Sequence, residues 1–483
     1  MKIHRVPEHK NPMLNHVVLE RIFKIAEFDI KSFATYRLVC KQWYETSLPT
    51  WRKNAWLPVT TTRKQHGVYF EDYLQLLNSQ EQRLTAVPFR KYKIRSWDGF
   101  IHRKGEKKLE RLEFWKTVGP LMTHLHLKSN HFYFNDDFRQ VIYRLTPNLK
   151  SLVLGKNEYY RPDRRVYVID DFEPQEMGLK VCQHLTELKV NLVEFENFPN
   201  LCIELPWHFP NIEIFEATQK VPSCATENLC GLFGFVDELR NTESSHCFKN
   251  LSELRLLDKK RRNTLTQELA LRLQRLQFPL KVLTLDVGSE EDSGDAKDTL
   301  KIVLETHAQT LEELILVREE ESVPYEDFPF GIEFPKLTKI RSTGKLVKDF
   351  KFVQHMPNLE YLHLEQEGHG IHLSNIGWSN SIVNPNLKEF KITERFCGQN
   401  EIKFLGEVMP NLTKITLGLK NERCFKSICQ IWKEVTDVTI YSGASVEDVY
   451  WKSEVGDKYV KESIVDLKEL RCLKLGKFIK YPE

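Results

Sequence analysis

The chain has 483 residues, 41% of them hydrophobic and 28% charged, ordinary proportions for a soluble globular protein long enough to bury two or more cores. Its formal net charge is only +3, so no overall field draws it to nucleic acid or to an anionic membrane, and no apolar run reaches the ~20 residues that span a bilayer. Residues 1–12 are polar and charged rather than an apolar stretch ending at small residues, which predicts no secretory signal and a soluble protein of the cytoplasm, the nucleus or both.

The first predicted unit is a compact helical module over residues 14–52. Val18, Leu19, Ile22, Phe23 and Ala26 recur at helical spacing and predict a first helix of about three turns. Asp29 and Ser32 offer side-chain oxygens where a second helix needs its first N–H groups capped, ahead of Phe33, Tyr36, Val39, Cys40 and Trp43. Pro49 to Trp51 fits a third, short helical turn. A module of ~40 residues is near the lower limit for folding alone, so its surplus of apolar side chains implies docking on a partner.

These residues resemble the F-box, a pattern of Leu-Pro, then Val-Leu-x-x-Ile-Phe, an acidic capping position, Val-Cys-x-x-Trp and a final Trp-Arg. Leu14, Val18, Leu19, Ile22, Phe23, Asp29, Val39, Cys40, Trp43, Trp51 and Arg52 stand at matching positions, with Asn15 in place of the usual Pro and Val17 where Glu is frequent. The resemblance implies a three-helix F-box over residues 10–56 that docks on a Skp-family adaptor, and through it on cullin and RING subunits. Leu14, Val18, Leu19, Ile22, Phe23, Phe28, Val39, Cys40, Trp43 and Trp51 would form the adaptor-binding face.

Residues 57–113 read as a connector that caps the unit behind it, with a helix around Glu71 to Leu77. Within it Arg90, Lys91, Lys93, Arg95, Arg103, Lys104, Lys107 and Lys108 interleave with Phe89, Tyr92, Trp97 and Phe100, a mixture that can hold a nucleic-acid backbone and stack bases. Asp98, Glu106, Glu110 and Glu113 dilute that charge, and a solvated connector is the plainer reading.

From about residue 114 to 483 one phrase recurs, Leu-x-x-Leu-x-Leu, often introduced by Pro-Asn or Phe-Pro. Its copies begin at Leu149, Leu185, Leu251, Leu280, Leu311, Leu337, Leu359, Leu387, Leu412, Val435 and Leu470, with weaker copies at Met122 and Ile212, thirteen in all. The last two apolar residues of each phrase are two apart and share a face of a strand, while the residue between them points the other way. Segments such as Phe138 to Leu145 and Leu269 to Leu276 carry helical spacing between the phrases, and Phe114 to Leu121 reads as the helix of the first repeat. First positions lie 22 residues (337 to 359) to 39 residues (212 to 251) apart, and one such unit cannot bury its face alone. The array resembles leucine-rich repeats, which implies an α/β solenoid with parallel strands on the concave face and helices on the convex face.

The ten cysteines are scattered and include no Cys-x-x-Cys pair, so they read as small buried hydrophobes in a reducing compartment, and no metal site is expected. Lys259-Lys260-Arg261-Arg262 has the composition of a nuclear-import patch, and the acidic run Glu290, Glu291, Asp292 and Asp295 that of a loop attracting a divalent ion. The first follows a strand and the second lacks the ligand spacing of a calcium loop, so both read as exposed, solvated loops. The 16 histidines form no His-Glu-x-x-His motif, and neither Gly-x-Ser-x-Gly nor a phosphate-cradling glycine loop occurs. No catalytic residue and no cofactor is expected.

Taken with the resemblance, the sequence predicts a non-catalytic substrate receptor of an SCF-type ubiquitin ligase, monomeric within its complex, whose strands present outward residues to a protein substrate. Lys189, Arg255, Glu313, Arg341, Tyr361, His363, Glu389, Lys391 and Tyr441 are such residues, with Arg341, Tyr361, His363, Glu389 and Lys391 as the central substrate-binding patch. Two other readings of the same residues are an interaction scaffold without ubiquitin transfer and an RNA-associated adaptor that uses the basic and aromatic connector.

Overall fold

The computed structural model describes residues 55–60, 67–80, 89–94, 106–129, 138, 140–156, 182–191, 205–206, 208–219, 225–241, 247–258, 265–287, 294–317, 328, 330–343, 351–365, 383–419, 422–442 and 470–477. The F-box positions named above lie outside these residues. So do Lys259 to Arg262 and Glu290 to Asp292. Among the described residues no helix is long and apolar enough to cross a membrane.

The chain falls into two compact units, Met1–Ile212 and Glu213–Glu483. The first carries strands β1 (Trp56–Thr60), β2 (Val68–Tyr69), β3 (Lys91–Ile94), β4 (His124–Ser129), β5 (Ser151–Lys156) and β6 (Glu187–Asn191), with helices α1 (Phe70–Gln80) and α2 (Glu106–Val118). Its strands are parallel in the order β2-β1-β3-β4-β5-β6. The ladder therefore extends into the stretch read as a connector, since β3 joins β4 in register with Tyr92 opposite Leu125 and Ile94 opposite Leu127. Phe89-x-x-Tyr92-x-Ile94 is the repeat phrase written with aromatic residues, and all three are buried.

The second unit runs β7 (Ile214–Gln219), α3 (Ala225–Asn241), β8 (Glu253–Asp258), α4 (Gln267–Leu276), β9 (Val282–Asp286), α5 (Gly294–His307), β10 (Glu313–Val317), β11 (Lys339–Thr343) and β12 (Tyr361–Glu365). It continues through β13 (Glu389–Cys397), α6 (Gln399–Val408), β14 (Lys414–Leu419), α7 (Glu422–Ile431), β15 (Asp437–Ser442) and β16 (Cys472–Lys477). These strands are parallel in strict sequence order. Each unit is thus an α/β, solenoid-like array of parallel strands, and the thirteen phrases correspond one to one with β4 to β16.

Burial follows the phrase. The second and third apolar residues of successive copies, such as Leu254 and Leu256, Leu283 and Leu285, or Leu314 and Leu316, are fully buried. The leading residue of each copy, such as Leu251, Leu280 or Leu359, is also buried, turning the chain from the helix layer into the strand. Aromatic rings fill the wider gaps, with Phe233 edge-on to Phe215 at 6.1 Å and to Phe278 at 6.0 Å. Six of the described cysteines are buried and Cys472 is partly so, and all are free thiols.

The Pro-Asn pair ahead of many phrases has its own task. The Asn358 side-chain amide donates to Pro335 O at 2.7 Å, Asn386 to Pro357 O at 2.7 Å and Asn411 to Pro385 O at 2.9 Å, so each asparagine ties its coil to the carbonyl at the same place in the preceding one. Asn148 to Pro120 O at 2.7 Å and Asn211 to Gln183 O at 3.0 Å repeat the device in the first unit. Proline has no N–H to offer, but its carbonyl remains a strong acceptor, which is why the pair travels together. Replacing Asn386 by Ala is expected to lower unfolding stability by about 1 kcal/mol, the usual net value of one such bond, measured as a shift of the urea midpoint. An unchanged midpoint would mean that water replaces the amide without loss.

Candidate functional site

The residues predicted for substrate binding come together on the strand face turned away from the helices, on β11, β12 and β13. Parallel register places Glu313, Lys339, Tyr361, Glu389 and Lys414 in one row across β10 to β14. Ile315, Arg341, His363, Lys391 and Thr416 form the row two residues further along. With neighbouring strands about 4.8 Å apart, the five strands span roughly 19 Å.

Charges in this patch alternate in sign and pair across strands. Lys339 Nζ lies 3.7 Å from Glu313, Arg341 Nη2 donates to Glu365 Oε2 at 3.1 Å, and Lys414 Nζ lies 3.5 Å from Glu389. On β7 and β8, Arg255 likewise pairs with Glu216 at 3.6 Å and with Glu253. Such exposed pairs add little stability, about 0–1 kcal/mol each, and their use here is to fix which polar groups face outward and where.

Tyr361 stands half-buried between these pairs. Burial raises its phenol pKa, Glu389 adds to the rise, Arg341 opposes it, and Glu313 and Glu365 raise it further, so the hydroxyl stays protonated as both donor and acceptor. His363 packs edge-on to it at 6.4 Å and is only 3% exposed. Burial, then Lys391 and Arg341, lower the His363 pKa to about 4 against the pull of Glu365, and its buried Nε2 has no hydrogen-bond partner. A neutral imidazole beneath the surface supports Tyr361, leaving Tyr361, Arg341, Glu389 and Lys391 as the accessible members of the patch. This arrangement offers donors, acceptors and one amphipathic ring, the makings of a surface that recognises a polar protein face.

Of the other outward residues, Lys189 lies on β6 in the first unit, where it pairs with Glu187 at 3.1 Å, and Tyr441 holds the expected register position opposite Gly418 and Gly476. The reading of Phe89 and Tyr92 as base-stacking rings is corrected by the register: Tyr92 is 0% exposed in the core, its hydroxyl 3.2 Å from that of Tyr73. Sequence reasoning passed over Lys339, Glu365 and Lys414, which flank the central patch, and Trp56, His124, His126 and Lys128 in the first unit. Their signal was the same alternation that marked Arg341 and Lys391. Among the described residues no group of three or more His, Cys, Asp or Glu side chains is arranged to hold a metal ion.

No family model matches the chain, and no curated protein matches it. A solved structure similar to it is the crystal structure of the Rad7 and Elc1 complex in yeast, with 13% sequence identity and a TM-score of 0.34, covering 78% of this chain and 84% of that one. A likeness so slight transfers nothing to this chain.

Proposed function

We propose that this chain is a non-catalytic substrate receptor of an SCF-type ubiquitin ligase. The observation that carries the receptor role is the ordered polar patch around Tyr361, held on parallel strands by the charge pairs Lys339–Glu313, Arg341–Glu365 and Lys414–Glu389. The link to a ligase rests on the F-box resemblance of residues 14–52. The F-box would hold the Skp-family adaptor, cullin and RING subunits at one end while the repeats hold a protein substrate, raising the effective concentration of the substrate's lysines near the ubiquitin thioester. The chain then contributes placement rather than an acid, a base or a nucleophile.

The direct test uses purified full-length protein with a purified Skp-family adaptor. Wild type is expected to retain the adaptor on affinity resin, and a Leu19→Ala, Ile22→Ala, Trp43→Ala variant to lose it, because interface anchors of this kind cost 2 kcal/mol or more each, about thirtyfold in affinity. Absence of adaptor on the wild-type protein would end the ligase reading. A substrate captured equally by wild type and by an Arg341→Ala, Tyr361→Ala, Lys391→Ala variant would move the binding surface away from the central patch.

A further inference from the structure

The charges on the outward face of β10 to β14 cancel in pairs and leave one over. Lys339 is matched with Glu313, Arg341 with Glu365 and Lys414 with Glu389. Lys391 stands in the same row as Arg341, opposite His363 on β12 and Thr416 on β14, and among the described residues no carboxylate lies within ion-pair distance of it. The Tyr361 hydroxyl is unspent as well, since it makes no hydrogen bond among the described residues. Arg341 commits Nη2 alone to Glu365, so the N–H groups of its Nε and Nη1 keep their donor capacity.

These unspent donors gather round one side chain. Parallel register sets Arg341 on one side of His363 and Lys391 on the other, and Tyr361 precedes it by two residues on the same face of β12. Tyr361 meets the imidazole edge-on at 6.4 Å, and both cations stand close enough to join burial in pushing its pKa down to about 4. Glu365, which acts against them, is already bonded to Arg341 at 3.1 Å. The buried imidazole is therefore neutral and offers no counter-charge of its own. With neighbouring strands about 4.8 Å apart, the strands of Arg341 and Lys391 lie roughly 10 Å apart, a span that two long side chains close around one oxyanion.

We propose that a single aspartate or glutamate side chain of the client docks over His363, its carboxylate held by Lys391, the Tyr361 hydroxyl and the unspent N–H groups of Arg341. This rests on the reading of the face as the client surface and names what that surface recognises. Charge decides the class of anion. Three pairs cancel and Lys391 leaves one positive charge, which one carboxylate neutralises through charge-assisted hydrogen bonds. A phosphate carries nearly two negative charges at neutral pH, and Glu365 and Glu389, one row away on either side, repel the excess. Paired polar groups continue on both flanks, Glu313 with Lys339 and Glu389 with Lys414, so the occupant is an internal segment crossing the strands rather than a chain end.

The test follows the ring signals of His363 in full-length protein carrying carbon-13-labelled histidine, assigned by their loss in His363→Asn, during titration with acetyl-Ala-Asp-Ala-amide at constant ionic strength. The peptide is expected to shift these signals saturably and to raise the His363 pKa from about 4, because a bound negative charge favours the imidazolium. The Asn analogue is expected to bind at least about tenfold more weakly, and the phosphoserine analogue and acetyl-Ala-Asn-Ala with a free C-terminus more weakly than the Asp peptide. Lys391→Gln is expected to weaken the Asp peptide about tenfold or more and Tyr361→Phe severalfold, while Lys189→Gln in the other unit changes nothing. Unaltered signals from the remaining histidines establish that each variant is folded, and if Lys391→Gln is not, Tyr361→Phe carries the test. Equal binding of the Asp and Asn peptides, undiminished binding by the folded variant, or tighter binding of the phosphoserine or free-terminus peptide overturns the proposal. The adaptor takes no part in this titration, so a failure of the ligase reading on affinity resin is distinguishable from a failure here.

Discussion

Acidification from about pH 7 to about pH 5 is expected to destabilise the unit Glu213–Glu483 by about 4 kcal/mol through two buried histidines alone. His307 is 1% exposed on α5, where its Nδ1 lies 3.1 Å from Phe278 O. A carbonyl only accepts, so the proton sits on Nδ1 and Nε2 is left bare, buried and without a hydrogen-bond partner. Burial lowers the His307 pKa to about 4 despite that carbonyl, and His363 reaches the same value through burial and its two basic neighbours. The unfolded chain binds these protons at the ordinary 6.5 and the fold does not, so their contribution is complete above 6.5 and is lost as pH falls from there toward 4. A displacement of that size is worth about 3 kcal/mol per group at its limit, and about 2 kcal/mol of it is gone by pH 5.

Urea titrations at a series of pH values read this directly. Wild type should show stability rising with pH across the window, and His307→Asn with His363→Asn should flatten the slope. Asparagine keeps an N–H for Phe278 O but cannot take up the extra proton. A wild-type midpoint unchanged between the two pH values, or an undiminished slope in the double variant, would mean that neither imidazole resists protonation in the fold.

The repeat layout was legible because strand alternation is a strong local signal. In Leu-x-x-Leu-x-Leu the strand, its inward face and the turn of the chain before it are all written in apolar spacing, and every copy became a strand. The first three strands were missed for particular reasons. Phe89, Tyr92 and Ile94 write the phrase in aromatic residues amid a run of lysines, and the charges drew the reading toward a binding surface. Leu57 and Val59 of β1 have Asn54 where the leading apolar residue should be. Strand β2 has two residues and no periodicity to read.

The candidate site was legible in position but not in environment. Alternation placed Arg341, Tyr361, His363, Glu389 and Lys391 on one face, as found. It could not separate His363, 3% exposed, from the neighbouring Lys391, because burial on that face depends on what strands remote in sequence bring alongside. The carboxylate partners were hidden for the same reason. Arg341 meets Glu365, 24 residues on, only because parallel register sets β11 beside β12. The asparagine ladder shows the opposite case, a feature visible in the sequence as Pro-Asn whose purpose becomes apparent only when coils are stacked.

Loss of the Arg240 side chain is expected to cost several kcal/mol. It lies near the C-terminus of α3 and fans its guanidinium over three main-chain carbonyls, Nε to Cys247 O at 3.1 Å, Nη1 to Leu276 O at 2.5 Å and Nη2 to Phe248 O at 3.2 Å. Its Cζ stands 4.7 Å from the centre of the Phe278 ring, adding a cation–π contact. The carbonyls belong to two bends that need restraint. Leu276 ends α4 just before Gln277, which turns with φ 45°, and Phe248 itself has φ 54° in the turn that leads to β8. Non-glycine residues in the left-handed region cost about 1 kcal/mol each and persist where surrounding bonds fix them. Hydrogen bonds from a charged donor are worth about 1.5–3 kcal/mol, and acceptors stripped of one within a packed interior add their own desolvation cost. Arg240→Met, which keeps much of the apolar stem, is therefore expected to lower the stability of this unit by about 3–5 kcal/mol, seen as an earlier urea transition. Arg240→Lys should recover little, because one ammonium cannot reach three carbonyls that a planar fork spans. A lysine variant as stable as wild type would show that charge alone, and not the fan of three bonds, holds the two bends.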